Sequence, residues 1–490
     1  MAKVTAVIDI GSNSARMAIF RRTSRFGFYL IGEVRSRVRI SEGCYENGGI
    51  LQEIPMQRAL CALKEFREIA KRHGARKLFC VATSAVRDAP NSREFIRRAK
   101  RESGVAIRVI GGEKEAFYGA ISALNLLPYK EGITIDIGGG STECALLVDG
   151  KVRELVSLKL GTIRLKELFF DRHVSYKDAL AFVQKELECL PQSFRSTRVF
   201  GIGGTLRALS KTIMKAVEYP IDTVHGFSYD VAEWLEFFTK IYTSESGKLK
   251  TLGIKEDRLD TIQGGVLIFA SLLKLFGAKE VVTSGVGVRE GVFLEDLLRS
   301  QRGVFPPNFN PSVRSLLDRF SLNPSAAQRV KKIALELFDA LLVRHRLDTG
   351  YRYHLGIAAK LSNIGSALSY YNHHHHGSYF ILESLTYAIS HQDRAIIALL
   401  VEYHNKKIPK DSAIAHLSSL MPPLLTLQWL SFLLALAQSL ALSPCEYAFT
   451  YQDGMLMIAP SGDSYLAQEG VMKLDKPAPI VFCFKTEERA

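Results

Sequence analysis

The chain has 490 residues, 47% of them hydrophobic and 23% charged, which is too long for one core and too apolar for disorder, so a soluble protein of about three domains is expected. Its seven cysteines (Cys44, Cys61, Cys80, Cys144, Cys189, Cys445, Cys483) are odd in number, scattered and never in a C-x-x-C pair, which excludes a zinc ribbon or a disulfide framework and fits reduced cytoplasmic thiols. The net charge of +14 is uneven: residues 1–120 carry 23 Lys and Arg against 12 Asp and Glu, 121–300 balance at 23 each, 301–440 carry 14 against 8, and 441–490 carry 4 against 7. Such a basic first third suits a polyanion, whether nucleic acid, nucleotide or inorganic phosphate chain, or else a solvated basic face.

In chain order, the opening MAKVTAVIDIGSNSARM breaks any apolar run with Asp9 and a glycine turn, so no export signal is expected. Residues 4–10 read as a strand ending in Asp9-Ile-Gly-Ser-Asn-Ser14, and residues 15–20 as a second, which predicts a hairpin. Helical patterns follow at 56–73 and 92–102, with strands at 77–81 and 106–110. Residues 133–137 then repeat the hairpin design: Asp136-Ile-Gly-Gly-Gly-Ser-Thr142, a strand at 144–148 and an Asp149-Gly150 turn. From Asp9 to Asp136 the offset is 127 residues, which reads as an internal duplication of one α/β unit. Strands at 199–202 and 280–283 flank a helix-rich stretch, and Gly303 to Pro311, with three prolines, reads as a linker.

Helical periodicity dominates from 312 to 443, clearest at 330–341, 353–369, 379–390 and 395–404. The stretch 424–442 lacks charges but carries Thr426, Gln428, Ser431, Gln438 and Ser439, so a buried helix is expected in place of a membrane span. From Tyr447 a small β-rich appendage with turns at 453–454 and 461–463 is expected. The fold class is therefore α/β, with duplicated domains over 1–123 and 124–304 followed by an all-helical domain over 305–490 that ends in the β appendage.

Two D-x-G-x-x-S turns facing one another would surround a shared cleft with backbone N–H groups, small hydroxyls and one carboxylate each, a combination that binds phosphate and a divalent metal. Gly11, Gly138, Gly139 and Gly140 allow close approach, Ser12, Asn13, Ser14, Ser141 and Thr142 add uncharged donors, and Asp9 and Asp136 suit Mg²⁺ held directly or through water. The glycines precede strands and no G-x-x-x-x-G-K-[ST] occurs, so neither a P-loop nor a dinucleotide fingerprint applies. Related turns stand at Gly201-Ile-Gly-Gly-Thr205 and Ser284-Gly-Val-Gly-Val-Arg289.

The blocks VIDIGSNS (7–14), VATSAVRDAPN (81–91), GEKEA (112–116), IDIGGGSTE (135–143), GTIRLKELF (161–169), GIGGTLRAL (201–209) and SGVGVREGV (284–292) together resemble the exopolyphosphatase / guanosine pentaphosphate phosphohydrolase (Ppx/GppA) family of the actin–Hsp70–sugar kinase superfamily. The resemblance implies duplicated actin-like, ribonuclease H-like domains, an HD-like helical domain, and Mg²⁺-dependent release of a terminal phosphate from inorganic polyphosphate or from the 5′ end of pppGpp. It places the general base on Glu115 and a phosphate-contacting arginine on Arg87. Independently, GEKEAFYGA opens a helix whose first-turn carboxylates point toward the cleft, with Glu113 the competitor better suited to complementing the helix dipole. Arg16, Lys114, Arg207 and Arg289 lie near the same blocks and are candidates for a basic track.

In relatives the third domain resembles an HD-type phosphohydrolase bundle, but here Ser362 and Asn363 stand where its His-Asp pair would be, so a second hydrolytic metal centre is not expected. Four consecutive imidazoles, His373 to His376, could attract a transition metal, but they splay around a helix or turn without converging, so incidental surface histidines are the expected reading and specific metal binding the lesser one. His391, Arg394, His404, Lys406, Lys407 and Lys410 are candidates for extending a basic surface or, equally, for a solvated helix face. The implied partners are polyphosphate or guanosine penta- or tetraphosphate, with no specific nucleic acid and no membrane, in a cytoplasmic protein; the oligomeric state is open, and the apolar helical domain makes a homodimer plausible. The competing readings are a kinase or ATP-driven switch of the same superfamily, and a non-catalytic polyphosphate or alarmone sensor. The presence of Glu115 argues against the sensor.

Overall fold

The computed structural model describes residues 3–172, 175–405 and 407–485, which form two compact units divided between Phe309 and Asn310.

The first unit holds two sheets. In the first, β1 (Val4–Ile10), β2 (Ala15–Arg22), β3 (Phe28–Ser36), β4 (Lys77–Ala82) and β5 (Arg108–Val109) lie in the order β3-β2-β1-β4-β5. In the second, β6 (Gly132–Ile137), β7 (Thr142–Val148), β8 (Lys151–Leu158), β9 (Arg198–Ile202), β10 (Ser228–Asp230) and β11 (Glu280–Thr283) lie in the order β10-β11-β9-β6-β7-β8. Each sheet is an antiparallel three-strand meander extended by two parallel strands, and the second adds the antiparallel edge strand β10. The duplication reaches the backbone detail. Gly11 N–H donates to Ser14 O at 3.1 Å and Gly138 N–H to Ser141 O at 2.9 Å, and a register shift follows at Ile19/Phe20 and again at Leu146/Leu147, the same offset apart as the aspartates.

The strands form where apolar runs are bounded by turns, and β1 and β6 are buried along nearly their whole length because helices cover them. β3 is not anticipated from the sequence: its FYLIGEVRS mixes charge with apolar residues on a half-exposed edge, so its pattern is weak. The expected boundary at 123/124 falls inside the helix Gly112–Leu126, which packs on β7 and β8, while the helix Val288–Leu297 packs on that helix and on β1. A Cβ on Gly291 would overlap the Tyr118 backbone, so that helix pair needs a glycine at its closest approach.

The second unit packs the helices Pro311–Phe320, Pro324–Ala340, Tyr351–Leu361, His373–Ser384, His391–Glu402 and Leu424–Leu440 around one apolar core. The first two begin with Asn310 and Asn323 capping a proline-led turn. Leu424–Leu440 is buried over most of its length, and among the described residues no single helix is long and apolar enough to cross a membrane. A three-stranded sheet of β12 (Tyr447–Gln452), β13 (Met455–Pro460) and β14 (Val481–Phe484) closes the unit.

Candidate active site

The two glycine turns touch. A Cβ added to Gly139 would lie 2.7 Å from Ser12 Cβ, so the second turn approaches the first as closely as a missing side chain allows. Beside them is a polar cavity of about 160 Å³ lined by Asp9, residues 11–14, Asp136, Gly138 and Gly139. Arg16, Arg35, Arg207, Arg258 and Arg289 line it too. Gly203, at φ +93°, and Gly287 cradle Asp136, and a Cβ on Gly203 would lie 2.7 Å from Asp136 Oδ1.

Sheet register explains which charges meet. Across the first hairpin Asp9 faces Arg16, which faces Arg35; across the second Asp136 faces Glu143, which faces Ser157. The duplicated row is therefore cationic in one half and acidic in the other. Arg207 is held by the Ser284 and Val286 carbonyls at 2.9 and 3.2 Å, and Arg289 by Glu33 at 2.7 Å. Burial, with Arg289 adding to it, pulls Arg207 down to about 10.

Asp9 and Asp136 are partly buried in the wall of this cavity. Burial pushes both carboxyls up to about 6, opposed by Arg289 at Asp9 and by Arg207 at Asp136. Among the described residues Asp9 Oδ1 meets no hydrogen-bond donor, and no three His, Cys, Asp or Glu side chains converge. A hard cation satisfied by one or two carboxylates, with water and phosphate oxygens completing its octahedron, fits this donor set.

The helix Gly112–Leu126 sorts its two first-turn acids. Glu113 is exposed, whereas Glu115 is buried and accepts a hydrogen bond from Arg87 Nη1 at 3.1 Å. Arg87 also donates to Ile110 O at 3.3 Å. Burial, reinforced by the Glu143 charge, drives Glu115 well above the usual carboxylate range against the pull of Arg87, and Asp9 and Asp136 add to the rise. Burial likewise raises Glu143, which accepts from Ser157 Oγ at 2.9 Å. Two buried acids in each other's field disfavour ionising together, and the guanidinium of Arg87, hydrogen-bonded to Glu115, opposes the rise there.

The expected phosphate-binding residues do not all share one cavity. Gly140, Ser141 and Arg87 line a second cavity of about 420 Å³ with Arg164 and Lys159. Thr142 is buried with Oγ1 donating to Leu160 O at 2.7 Å, and the Gly11 and Gly138 amides close their own turns. Ser12 Oγ lies 3.3 Å from Ser84 Oγ. Of the candidate basic track, Arg16, Arg207 and Arg289 reach the first cavity, whereas Lys114 is engaged by Glu295. Sequence reasoning passes over Glu143, Arg35 and Arg258. Glu143 had a signal: an acid paired across a hairpin from Asp136 is unfavourable unless the site uses it.

Glycine turns on duplicated sheets, closing on a small arginine-lined cavity with two partly buried aspartates, have the character of a phosphoryl-transfer protein. The chain belongs to the Ppx/GppA phosphatase family, whose model matches residues 18–300, with the family's domain III matching residues 310–441. It is accordingly a phosphoanhydride hydrolase. The guanosine-5'-triphosphate,3'-diphosphate pyrophosphatase of Aeromonas hydrophila is 27% identical over 77% of this chain and 75% of its own length. A Ppx/GppA family member of Aquifex aeolicus is similar in structure, with 28% identity and TM-score 0.53 over 61% of this chain and 99% of that one. An exopolyphosphatase of Cytophaga hutchinsonii shares the fold at 24% identity and TM-score 0.55 over 62% of this chain and 99% of that one.

Proposed function

We propose that this chain is a Mg²⁺-dependent hydrolase that releases the terminal phosphate of inorganic polyphosphate or of the 5′ triphosphate of pppGpp. The observation that carries the reading is the small cavity where five arginines and the turn residues meet Asp9 and Asp136. The cavity is small, at about 160 Å³, and its lining of arginines, small hydroxyls and glycine turns suits the charged end of a phosphate chain.

In this mechanism the amides of residues 12–13 and 139–140 and the arginines hold the phosphoryl oxygens. Asp9 and Asp136 would hold Mg²⁺, which supplies charge neutralisation at those oxygens. Glu115, kept partly ionised by Arg87, orients a water and takes its proton at a carboxylate oxygen as the water oxygen bonds to phosphorus. The bridging P–O bond breaks and the shortened chain leaves with the electron pair. Because phosphoryl transfer is mostly positioning and charge stabilisation, no protein nucleophile is needed. We place the enzyme in the cytoplasm, a reading supported by seven cysteines that are all free.

Phosphate release measured side by side from pppGpp, ppGpp, long-chain polyphosphate and ATP, with and without Mg²⁺, tests the proposal. Metal-dependent release from pppGpp or polyphosphate is expected, and ATP turnover that phosphorylates an acceptor while polyphosphate and pppGpp stay intact would replace hydrolysis with a kinase.

A further inference from the structure

The helical unit contains an open cavity of about 970 Å³ lined by, among others, Lys360, Asn363, His373, His374, Glu402 and His404. His374 and His375 lie close, with ring centroids 4.1 Å apart, and His375 pairs with Glu402 at 3.3 Å. The first imidazole nevertheless meets one far away in sequence. His373 Nε2 and His404 Nε2 are 3.3 Å apart, with ring centroids at 5.2 Å.

We propose that His373 and His404 bind one borderline divalent metal ion, Zn²⁺ or a first-row neighbour, between their Nε2 atoms in this cavity. The tautomers follow from their partners. His373 Nδ1 contacts Tyr370 O at 2.9 Å and His404 Nδ1 contacts Val401 O. A carbonyl only accepts, so both Nδ1 atoms carry the hydrogen and both neutral rings present an Nε2 lone pair. Two lone pairs facing each other repel unless a cation lies between them.

A proton serves poorly as that cation. The 3.3 Å separation is long against the usual N–H donor distance of about 2.7–3.2 Å, and with the hydrogen of each neutral ring already on Nδ1 neither Nε2 has one to give. A metal ion fits instead, because two nitrogens each about 2.05 Å from a tetrahedral Zn²⁺ lie about 3.3 Å apart. A ring N–H anchored on a backbone carbonyl is also the usual way a ligating histidine is oriented.

The remaining positions face the cavity. Among the described residues no third His, Cys, Asp or Glu converges with the pair, so water or an anion drawn by Lys360 and Lys407 completes the shell. His374 Nδ1, buried and without a hydrogen-bond partner among the described residues, lies one residue away. Where an HD-type bundle would carry its His-Asp pair, Ser362 is buried, donates to Ala359 O and accepts from Gln438.

The full-length chain, carrying no purification tag, is stripped with chelator and titrated with Zn²⁺ against a chromophoric competitor, with Co²⁺ as the spectroscopic probe. One tightly held Zn²⁺ per chain is expected, with affinity falling at least about 10-fold in His373→Gln and in His404→Gln and unchanged in His376→Gln. Visible Co²⁺ bands of tetrahedral intensity should vanish in the same two variants. Should His404→Gln misfold by circular dichroism, the half-exposed His373 variant decides alone. Absence of Zn²⁺ uptake, equal uptake in His373→Gln, or equal loss in His376→Gln would each overturn the site; the last two would leave the aspartate cavity or the surface histidines as the metal's place.

Discussion

Glu115 and Glu113 are two residues apart on one helix, and burial alone separates them. Glu115→Gln should lower kcat by about 10²–10⁴-fold with KM largely kept, while Glu113→Gln should leave kcat within a few fold; a dead Glu113 variant beside an active Glu115 variant would move the base. Because the carboxyl must be ionised to take a proton, kcat should fall as pH drops through the raised pKa of Glu115. Removing the Glu143 charge relieves part of that rise, so Glu143→Gln should shift the acid limb of the kcat profile to lower pH, whatever it does to the plateau. A second consequence concerns stability. The folded-state pKa of Asp136 is raised to about 6 from an ordinary 3.8, so the folded chain binds an extra proton between those values and its stability falls as pH rises through that window. Asp136→Asn should then raise Tm at pH 8, by about 1–3 kcal/mol of stability, with the gain fading toward pH 4 while activity is lost. An unchanged or lowered Tm at pH 8 would show that the site does not strain the fold in this way.

At the scale of elements, the two hairpins work because each lacks side chains where the other approaches. Gly139→Ala pushes a methyl group into Ser12 and Ile163, and Gly203→Ala drives one toward Asp136 from a left-handed backbone. Both should cut kcat/KM by about 10²-fold or more through misplacement of the phosphate and the carboxylate. Gly150→Ala, at φ +68° in the β7–β8 turn with open space around it, should cost about 1 kcal/mol of stability and leave kcat/KM alone; assays of all three beside thermal melts separate the two effects. These hairpins were legible in the sequence since a strand, a D-x-G-x-x-S turn and a strand recur at a fixed offset, and β1 begins and ends where the apolar run does. The edge strand β3 was not, and Arg35 went unseen with it. Helical periodicity also misled about faces: His391 and Arg394, and His404 just past the helix end, candidates for a basic surface or a solvated face, are buried, because helix His391–Glu402 is enclosed by neighbours that a single sequence does not reveal. The meeting of His373 with His404 was hidden for the same reason, as the two are 31 residues apart and meet through packing of helix His373–Ser384 on helix His391–Glu402.

For the whole molecule, the charge is the clearest guide to how a long anion is handled. The excess of +11 over residues 1–120 lies in the unit that also holds the arginine-lined cavity. The helical unit was expected to add a basic surface, but burial removes three of its candidates, Lys406 lies outside the described residues, and Lys407 and Lys410 are left exposed. Attraction of polyphosphate should therefore be set mainly by residues 1–309. In a plot of log kcat/KM for long-chain polyphosphate against log salt, the slope counts the cations that neutralise phosphates. Lys407→Ala with Lys410→Ala in the full chain should flatten that slope by no more than about one or two units. Arg16→Ala should weaken pppGpp and polyphosphate alike, since it acts where both present the same terminal phosphates. A chain ending at Phe309, checked for folding by circular dichroism, should retain most of the slope even where its absolute rate falls. If the slope collapses on truncation while pppGpp hydrolysis persists, the helical unit carries a polyanion track that these lysines do not account for, and the division of labour proposed for the two units is wrong.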